Sequence, residues 1–419
     1  MSKEARMKQG SVAWRVVCLM AWAWFATPAQ AADTDLPVAR IYLDADRQHH
    51  VQAAASIELG VRAALYSVGN RAGGYRLEVV PLDHRGNVKR SKLNMLTYLA
   101  DDAALAFVGG MHSPPYLRYK AFINTKRVLT LLPWSAAGPL TRVESGENWV
   151  FRLSIDDTKA AERLVDFALN QQDCQRPALL LWESGWGRTN HKTLTTSLAR
   201  AGHDAVPVFY FPGSLARTDA YLLATKVYDA GIDCAVLVAN APEGVQVVSE
   251  LSRLPEPPRV ISHWGITGGD FKHTVAAPTR DRVDLHFLQT CYAPVGSDVS
   301  PLLDDAWRHA QAVGADVLSL SQLDAPAGFF HAYDLTLLLI AALEESGAQP
   351  DVETLRWRVR ETLESLSEPV AGLMRTYRKP FAAFAAATPD AHEALGLDDM
   401  CMARWDDDGR MVTRLGRDR

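Results

Sequence analysis

The sequence predicts an α/β protein with two doubly wound lobes, each a parallel sheet covered by helices. First, short apolar runs alternate with segments of helical spacing through residues 38–290. Second, the runs are almost continuously apolar, as in strands buried on both faces. Third, the alternation occurs twice, before and after residues 149–153. A chain of 419 residues, 48% hydrophobic and 22% charged, has enough length and apolar content for two such lobes.

The first lobe is predicted to contain four strands and three helices. Ala55 and Leu59, then Val61 and Leu65, recur at helical spacing after the first strand. The predicted strands are residues 38–43, 77–82, 104–108 and 128–132, and the predicted helices are residues 51–68, 88–99 and 115–124.

The second lobe repeats this alternation, and the chain then becomes mainly helical. The predicted strands are residues 178–182, 206–211, 234–238, 259–263 and 284–290, and the helices between them are residues 159–170, 193–201, 219–230 and 243–254. Later helices are predicted at residues 302–313, 328–345 and 352–366, and a closing hairpin pairs residues 401–405 with 410–414.

The late helices bring too few strands for a third α/β lobe, so we expect them to complete the first two. The predicted organisation is lobe I at 32–152, lobe II at 153–288, a return to lobe I at 289–397, and a hairpin on lobe II at 398–419. The role of residues 352–395 is not evident from the sequence.

The N-terminus has the pattern of a secretory signal peptide. A basic segment precedes an apolar run of 11 residues at 16–26, and Ala29-Gln30-Ala31 matches a cleavage site. A membrane anchor is the alternative, but spanning a bilayer takes about 20 apolar residues. We therefore expect cleavage after Ala31 and a periplasmic protein.

Composition and motifs argue against several functional classes. A net charge of −5 does not favour nucleic-acid binding. The sequence has no P-loop, no glycine-rich dinucleotide fingerprint, no nucleophile elbow and no zinc-protease motif. The His49-His50 pair is a weak metal signal without spaced carboxylates. No cofactor or metal is predicted, and an exported hydrolase remains only as an alternative.

Ligand-binding candidates follow two strands of the first lobe, because ligands of doubly wound sheets bind at the carboxyl ends of strands. His112 and Ser113 follow strand 104–108, where Ser113 is either a helix cap or, with the free amides after it, an anion site. Trp134, Ser135 and Ala136 follow strand 128–132, offering an apolar wall and backbone donors.

The candidates of the second lobe follow three more strand ends. Trp186 lies between Gly185 and Gly187 after strand 178–182. The others are Asn240, after strand 234–238, and His263 with Trp264, at the end of strand 259–263. Aromatic walls suit an apolar or cationic ligand.

Four cysteines beyond the leader belong to an exported chain, where disulfides persist. Cys174 and Cys234 precede strands expected to be neighbours, so they either form a disulfide opposite the cleft or remain buried thiols. Cys291 and Cys401 are a second possible pair.

These loops resemble a known family. The segment Phe107-Val-Gly-Gly-Met-His-Ser113, the Pro133-Trp-Ser-Ala-Ala loop and the Gly185-Trp-Gly187 turn are similar to type I periplasmic solute-binding proteins of ABC importers, the leucine/isoleucine/valine-binding type. The resemblance implies three inter-lobe crossovers, near 148–154, 285–294 and 395–402. It also implies hinge closure on a small amino-acid-like ligand, a monomer, and a membrane permease as partner. A periplasmic sensor of the same fold is the alternative.

The resemblance assigns roles to particular residues. Ser113 would hold the ligand carboxylate, and Trp186 would cover the ligand. Trp264 stands where the family has an acid for the ligand ammonium, which makes a standard α-amino acid doubtful. Five other acids are alternatives for this charge: Asp44, Asp46, Glu183, Glu243 and Asp270.

Overall fold

A computed structural model describes residues 36–143, 147–291, 301–316 and 319–414 and confirms the predicted fold class. The first sheet has six strands in the order β2-β3-β1-β4-β5-β6, parallel except for the short edge strand β2. These strands are β1 (Val38–Ala45), β2 (Arg71–Ala72), β3 (Tyr75–Asp83), β4 (Ala104–Gly109), β5 (Thr130–Leu132) and β6 (Val150–Arg152).

The second sheet has seven strands in the order β15-β14-β11-β10-β9-β7-β8. Its strands are β7 (Pro177–Trp182), β8 (Val208–Phe211), β9 (Cys234–Val238), β10 (Arg259–Ser262), β11 (His286–Thr290), β14 (Met400–Trp405) and β15 (Met411–Arg414). The first five are parallel, whereas β14 and β15 add antiparallel at one edge. A separate two-stranded ribbon, absent from the sequence prediction, joins β12 (Val370–Ala371) to β13 (Thr376–Tyr377).

Twelve α-helices cover the sheets and account for about half of the described residues outside the strands. They are α1 (Val51–Ser67), α2 (Val88–Leu99), α3 (Pro114–Thr125), α4 (Asp157–Asp166), α5 (Gly185–Arg200), α6 (Arg217–Asp229), α7 (Ala241–Leu251), α8 (Phe271–Thr274), α9 (Ala277–Arg282), α10 (Pro301–Ala312), α11 (Pro326–Ser346) and α12 (Val352–Leu363). A π-helical turn, Phe167–Gln171, continues α4. Helix α5 begins eight residues before its predicted start, which places Trp186 on a helix.

Helix α11 is the central core helix. It is long and apolar enough to cross a membrane, but 83% of its apolar stretch is buried inside the fold. It packs against α1 so closely that a Cβ on Gly60 would lie 2.4 Å from the backbone oxygen of Phe329. Glycine is therefore required at this crossing, and the helix is part of the core.

Residues 392–395, at the end of the segment 352–395 whose role was not evident from the sequence, cover an open edge of the first sheet. The Arg152 N–H donates to His392 O at 2.9 Å, and the Ala394 N–H donates to Arg152 O at 3.0 Å. The buried Arg152 guanidinium pairs with the Glu393 carboxylate at 2.5 Å. The segment therefore satisfies the backbone groups of β6 that would otherwise form an exposed edge.

Two disulfides are present. Cys174 and Cys234 have Cα atoms 5.6 Å apart, and Cys291 and Cys401 have Cα atoms 5.1 Å apart. The first pair lies at the amino ends of neighbouring strands, since Pro177 at the start of β7 pairs with Cys234 at the start of β9. This bond is therefore at the opposite end of the sheet from the loops after Trp182 and Val238.

The lobe boundaries at 152, 288 and 397 stay a prediction, although strands of the first sheet lie within 38–152 and those of the second within 177–290 and 400–414. The signal peptide at 1–31 lies outside the described residues, as do residues 292–294 of the predicted second crossover and residues 415–419 of the C-terminal segment.

We expect the Cys174→Ser/Cys234→Ser variant to lose about 3–4 kcal/mol of unfolding free energy, because the bond closes a loop with a sequence separation of 60 in the unfolded chain. Urea unfolding measures this change. Tryptophan fluorescence from the strand ends should stay unchanged before unfolding. An unfolding midpoint equal to that of the wild type would contradict the expectation.

Candidate functional site

Loops that follow parallel strands of both sheets meet at one cleft. Residues 111–113 follow β4 and residues 134–136 follow β5 in the first sheet. Trp182 ends β7, Asn240 follows β9, and Trp264 follows β10 in the second sheet. The carboxyl ends of both sheets therefore supply the side chains of this site.

The cleft contains about 290 Å³ of empty space, part of it open to solvent, and its lining is rich in tryptophan. Its lining consists of Met111, His112, Ser113, Pro114, Trp134, Ala136, Trp182, Trp186, Asn240, Trp264 and Gly265. Four of these are tryptophans, and none of these lining residues is an aspartate, glutamate, lysine or arginine. Such a site suits a small planar or apolar molecule with few polar groups.

The two lobes touch across the cleft. The His112 Nε2 atom from the first lobe lies 3.5 Å from Asn240 Nδ2 of the second. The ring of His112 is also 6.1 Å from the ring of Trp182, centroid to centroid. The cleft is therefore closed in this structure.

Seven of the nine predicted binding residues line the cleft: His112, Ser113, Trp134, Ala136, Trp186, Asn240 and Trp264. The side chains of Ser135 and His263 lie outside the lining. Ser135 Oγ donates to Gly110 O at 2.8 Å, which ties the two loops of the first lobe together. His263 is fully buried behind Trp186, and the centres of the two rings are 4.9 Å apart.

The Ser113 side chain is not the helix cap that one of the two alternatives predicted. It accepts instead the N–H of Ala137 at 3.2 Å. Pro114 and Pro115 follow it, so the expected free amides are absent from the first two helical positions. With these two amides missing, the donors that remain for an anion at this helix start are the Ser113 hydroxyl and its neighbouring backbone.

Trp134 lines the cleft and has a buried donor that is unpaired within the described residues. Its side chain is 1% exposed, and its indole Nε1 has no hydrogen-bond partner among the residues that the structure describes. A buried N–H without a partner costs about 1–3 kcal/mol, which a ligand acceptor would recover. The lining thus combines apolar faces with a few neutral donors.

Asp157 holds the cleft loops together and was not predicted as a site residue. Its backbone N–H donates to Ala136 O at 2.9 Å, and its Oδ1 accepts the Trp186 indole N–H at 3.0 Å. His263 Nδ1 accepts the Trp264 N–H, so the imidazole proton resides on Nε2, 3.3 Å from the same Oδ1. Asp157 therefore connects loops of both lobes.

Trp182 lines the cleft and was also missed, because it was assigned only to the strand. Its place as the last residue of β7, at the carboxyl end where ligands bind, could have identified it from the sequence. Gly187 makes this arrangement possible, because a Cβ there would lie 1.8 Å from the Trp182 carbonyl oxygen. Only glycine lets α5 start this close to the end of β7.

The five acids considered for a ligand ammonium do not line the cleft. Asp44 is buried and accepts hydrogen bonds from Asn94, Ser91 and Tyr116, and burial raises its pKa. Burial also raises the pKa of Glu243 to about 7. The lining therefore provides no carboxylate for a cationic group.

A possible metal-binding group lies beside the cleft. Ligand atoms of Asp46, His50 and His112 are all within 4.8 Å of one another. Among the described residues, no other set of three histidine, cysteine or acidic side chains is close enough for a metal ion.

Comparisons with known proteins identify related folds. A family model for periplasmic binding proteins matches residues 52–410. No curated protein sequence matches the chain.

Three solved structures illustrate the likeness. A leucine binding protein from Thermotoga maritima is 15% identical, with 90% of this chain and 98% of that chain covered and a TM-score of 0.70. A solute binding protein from R. palustris in complex with 4-hydroxybenzoate is 15% identical, with 90% and 95% covered and a TM-score of 0.70. A substrate-binding protein from Desulfitobacterium hafniense in complex with Leu is 16% identical, with 90% and 99% covered and a TM-score of 0.65. At sequence identities this low, the structural likeness establishes the fold alone.

We expect Trp186→Phe to lower the unfolding free energy by about 2–3 kcal/mol, because it removes the donor to a buried carboxylate. Trp182→Phe is the matched control, since that indole lines the same cleft but makes no hydrogen bond within the described residues; its loss should be about 1 kcal/mol or less. Chemical denaturation of both variants measures the difference, and equal losses would contradict the role of Asp157.

Proposed function

This chain belongs to the periplasmic binding protein family, and we propose that it is the solute-binding component of an ABC importer. The family implies an extracytoplasmic location, and its fold is that of binding proteins rather than enzymes. The observation that carries the proposal is the cleft, in which strand ends of two parallel sheets surround about 290 Å³. Ligands of doubly wound folds bind at such strand ends.

Solute capture would work by hinge closure. Ser113 and Trp134 belong to the first lobe, whereas Trp182, Trp186 and Trp264 belong to the second. A solute between them contacts both lobes only when these are together, so binding shifts the open–closed equilibrium toward the closed form. The permease would then recognise the closed monomer.

The lining favours a small aromatic acid as the solute. Tryptophan faces can stack on an aromatic ring, and each such pair adds about 0.5–1.5 kcal/mol beyond simple burial. The Ser113 hydroxyl and the Trp134 indole N–H are donors for a carboxylate. The R. palustris structure with 4-hydroxybenzoate and another from that source with benzoate have the same fold.

An α-amino acid fits the cleft less well. Its ammonium requires an acidic partner, and none of the lining residues is acidic. Asp157 contacts the lining residues Ala136 and Trp186, but it is fully buried and is not itself part of the lining. We therefore infer that the amino-acid-like ligand of the sequence prediction is better replaced by an aromatic carboxylate.

Benzoate and 4-hydroxybenzoate should stabilise the purified protein. At a concentration of 100 times its Kd, a ligand adds about 2.7 kcal/mol to the unfolding free energy, which a thermal-shift assay detects. Cyclohexanecarboxylate is the matched control, because it has the carboxylate without the aromatic ring, and it should bind at least tenfold more weakly.

Tight binding of leucine or choline, with none of the aromatic acids, would overturn this solute class. Chemical turnover of a bound compound would instead support the exported hydrolase.

Trp182→Ala should weaken benzoate binding about tenfold, or about 1.4 kcal/mol, because one aromatic wall is lost. Trp357→Ala is the control, since that side chain is also half-buried but lies on α12, away from the cleft lining. Isothermal titration calorimetry compares both variants with the wild type, and equal affinity of all three would exclude Trp182 from the binding site.

We also propose that the protein is exported by a leader that ends at Ala31. Mass spectrometry of protein recovered from the periplasm of an expressing bacterium should give a mature N-terminus at Ala32. Recovery of the uncleaved chain from the membrane fraction would support an anchor instead.

A further inference from the structure

Three potential metal ligands lie together at the carboxyl ends of two neighbouring strands. Asp46 directly follows β1, and His50 precedes the first turn of α1. His112 follows β4, which pairs with β1. The sheet order therefore brings residues that are far apart in sequence to one place, with ligand atoms within 4.8 Å of one another.

Both imidazoles are suited to ligation. The two rings meet edge to face, with centroids 4.3 Å apart. Both side chains are half-buried where the loops after β1 and β4 meet. Neutral rings have a nitrogen lone pair for a metal ion. The His50 side chain makes no capping hydrogen bond with α1, so ligation would not compete with one.

The carboxylate is held in place by its own loop. Asp46 is 5% exposed, and its Oδ1 accepts the backbone N–H groups of Gln48 and His49 at 3.1 and 3.0 Å. The His49 ring, 3.2 Å from both carboxylate oxygens, adds a further partner. Such supporting contacts orient a metal-binding carboxylate and leave lone pairs of Oδ2 for the ion.

His84 is nearby but unsuited to ligation. Its ring is 6.3 Å from that of His112, and its Nδ1 accepts the Gly86 N–H at 3.1 Å. His84 Nδ1 is thus already occupied, and His84 is not among the residues whose ligand atoms all lie within 4.8 Å of one another. Three protein ligands remain.

We propose that Asp46, His50 and His112 bind one divalent transition-metal ion of the Zn²⁺ class. Two imidazoles and one carboxylate select such ions over Mg²⁺ or Ca²⁺ and leave an open coordination position. Ligand atoms 2.1 Å from a tetrahedral ion are about 3.4 Å apart, so small side-chain rotations close the site.

His112 connects the proposed metal site to the cleft. His112 also lines the cleft, so the ion would lie in its wall and join the loops after β1 and β4. The open position would be available to water or to an oxygen atom of a solute.

Zn²⁺ alone, titrated into the solute-free mature protein, tests the proposal. Calorimetry and native mass spectrometry should give one bound ion per chain. Asp46→Asn and His50→Gln should each weaken binding at least tenfold. His191→Gln is the control, because His191 is a partly exposed histidine of the second lobe whose ring bonds to Tyr210, and it should leave the affinity unchanged.

Co²⁺ bound to the wild type provides a measurement that does not depend on the variants, because its ligand-field absorption reports nitrogen and oxygen coordination. Absence of one-to-one binding, or binding that persists in both ligand variants, would overturn the proposal. Because no solute is present, that failure would leave the proposed solute capture untouched.

Discussion

Three loops of the cleft converge on Asp157, a fully buried carboxyl group at the start of α4. Its backbone bonds to Ala136, and its side chain accepts from Trp186 and lies 3.3 Å from His263. Loss of one hydrogen-bond partner of a buried carboxylate costs about 1–3 kcal/mol, so these contacts hold the loops in place relative to one another. The Trp186 and Trp264 walls depend on this constraint, because His263 also accepts the Trp264 backbone N–H.

The same arrangement explains why the cleft is aromatic and without charged side chains. The buried carboxylate is used to orient tryptophans and does not face a ligand ammonium. In the proposed function the cleft would therefore recognise shape and π-faces, with Ser113 and Trp134 as neutral donors. Polar groups concentrate instead on the first-lobe side, where Asp46, His50 and His112 lie together. One wall of the cleft thus offers tryptophan rings for stacking, and its edge offers the three proposed metal ligands.

The order of strands and helices was predictable from the sequence because apolar runs and helical spacing are local properties. Most candidate residues were found by one rule, that ligands bind after the carboxyl ends of parallel strands. The rule missed Trp182 because the residue belongs to the strand itself, and it included His263, whose side chain turns into the core. Asp157 was missed because its importance arises from contacts with Trp186 and His263, distant in sequence. Residues 352–395 had no evident role for the same reason, since their last residues bond to Arg152, and Glu393 is 241 positions away from it in the sequence.

The central claim is that a solute holds the two lobes together around this cleft. Small-angle X-ray scattering of the purified protein, with and without saturating benzoate, tests it most directly. The account predicts a larger radius of gyration without benzoate and a decrease toward the closed structure when benzoate is added. A radius of gyration that stays unchanged while calorimetry reports stoichiometric binding would contradict hinge closure as the capture mechanism.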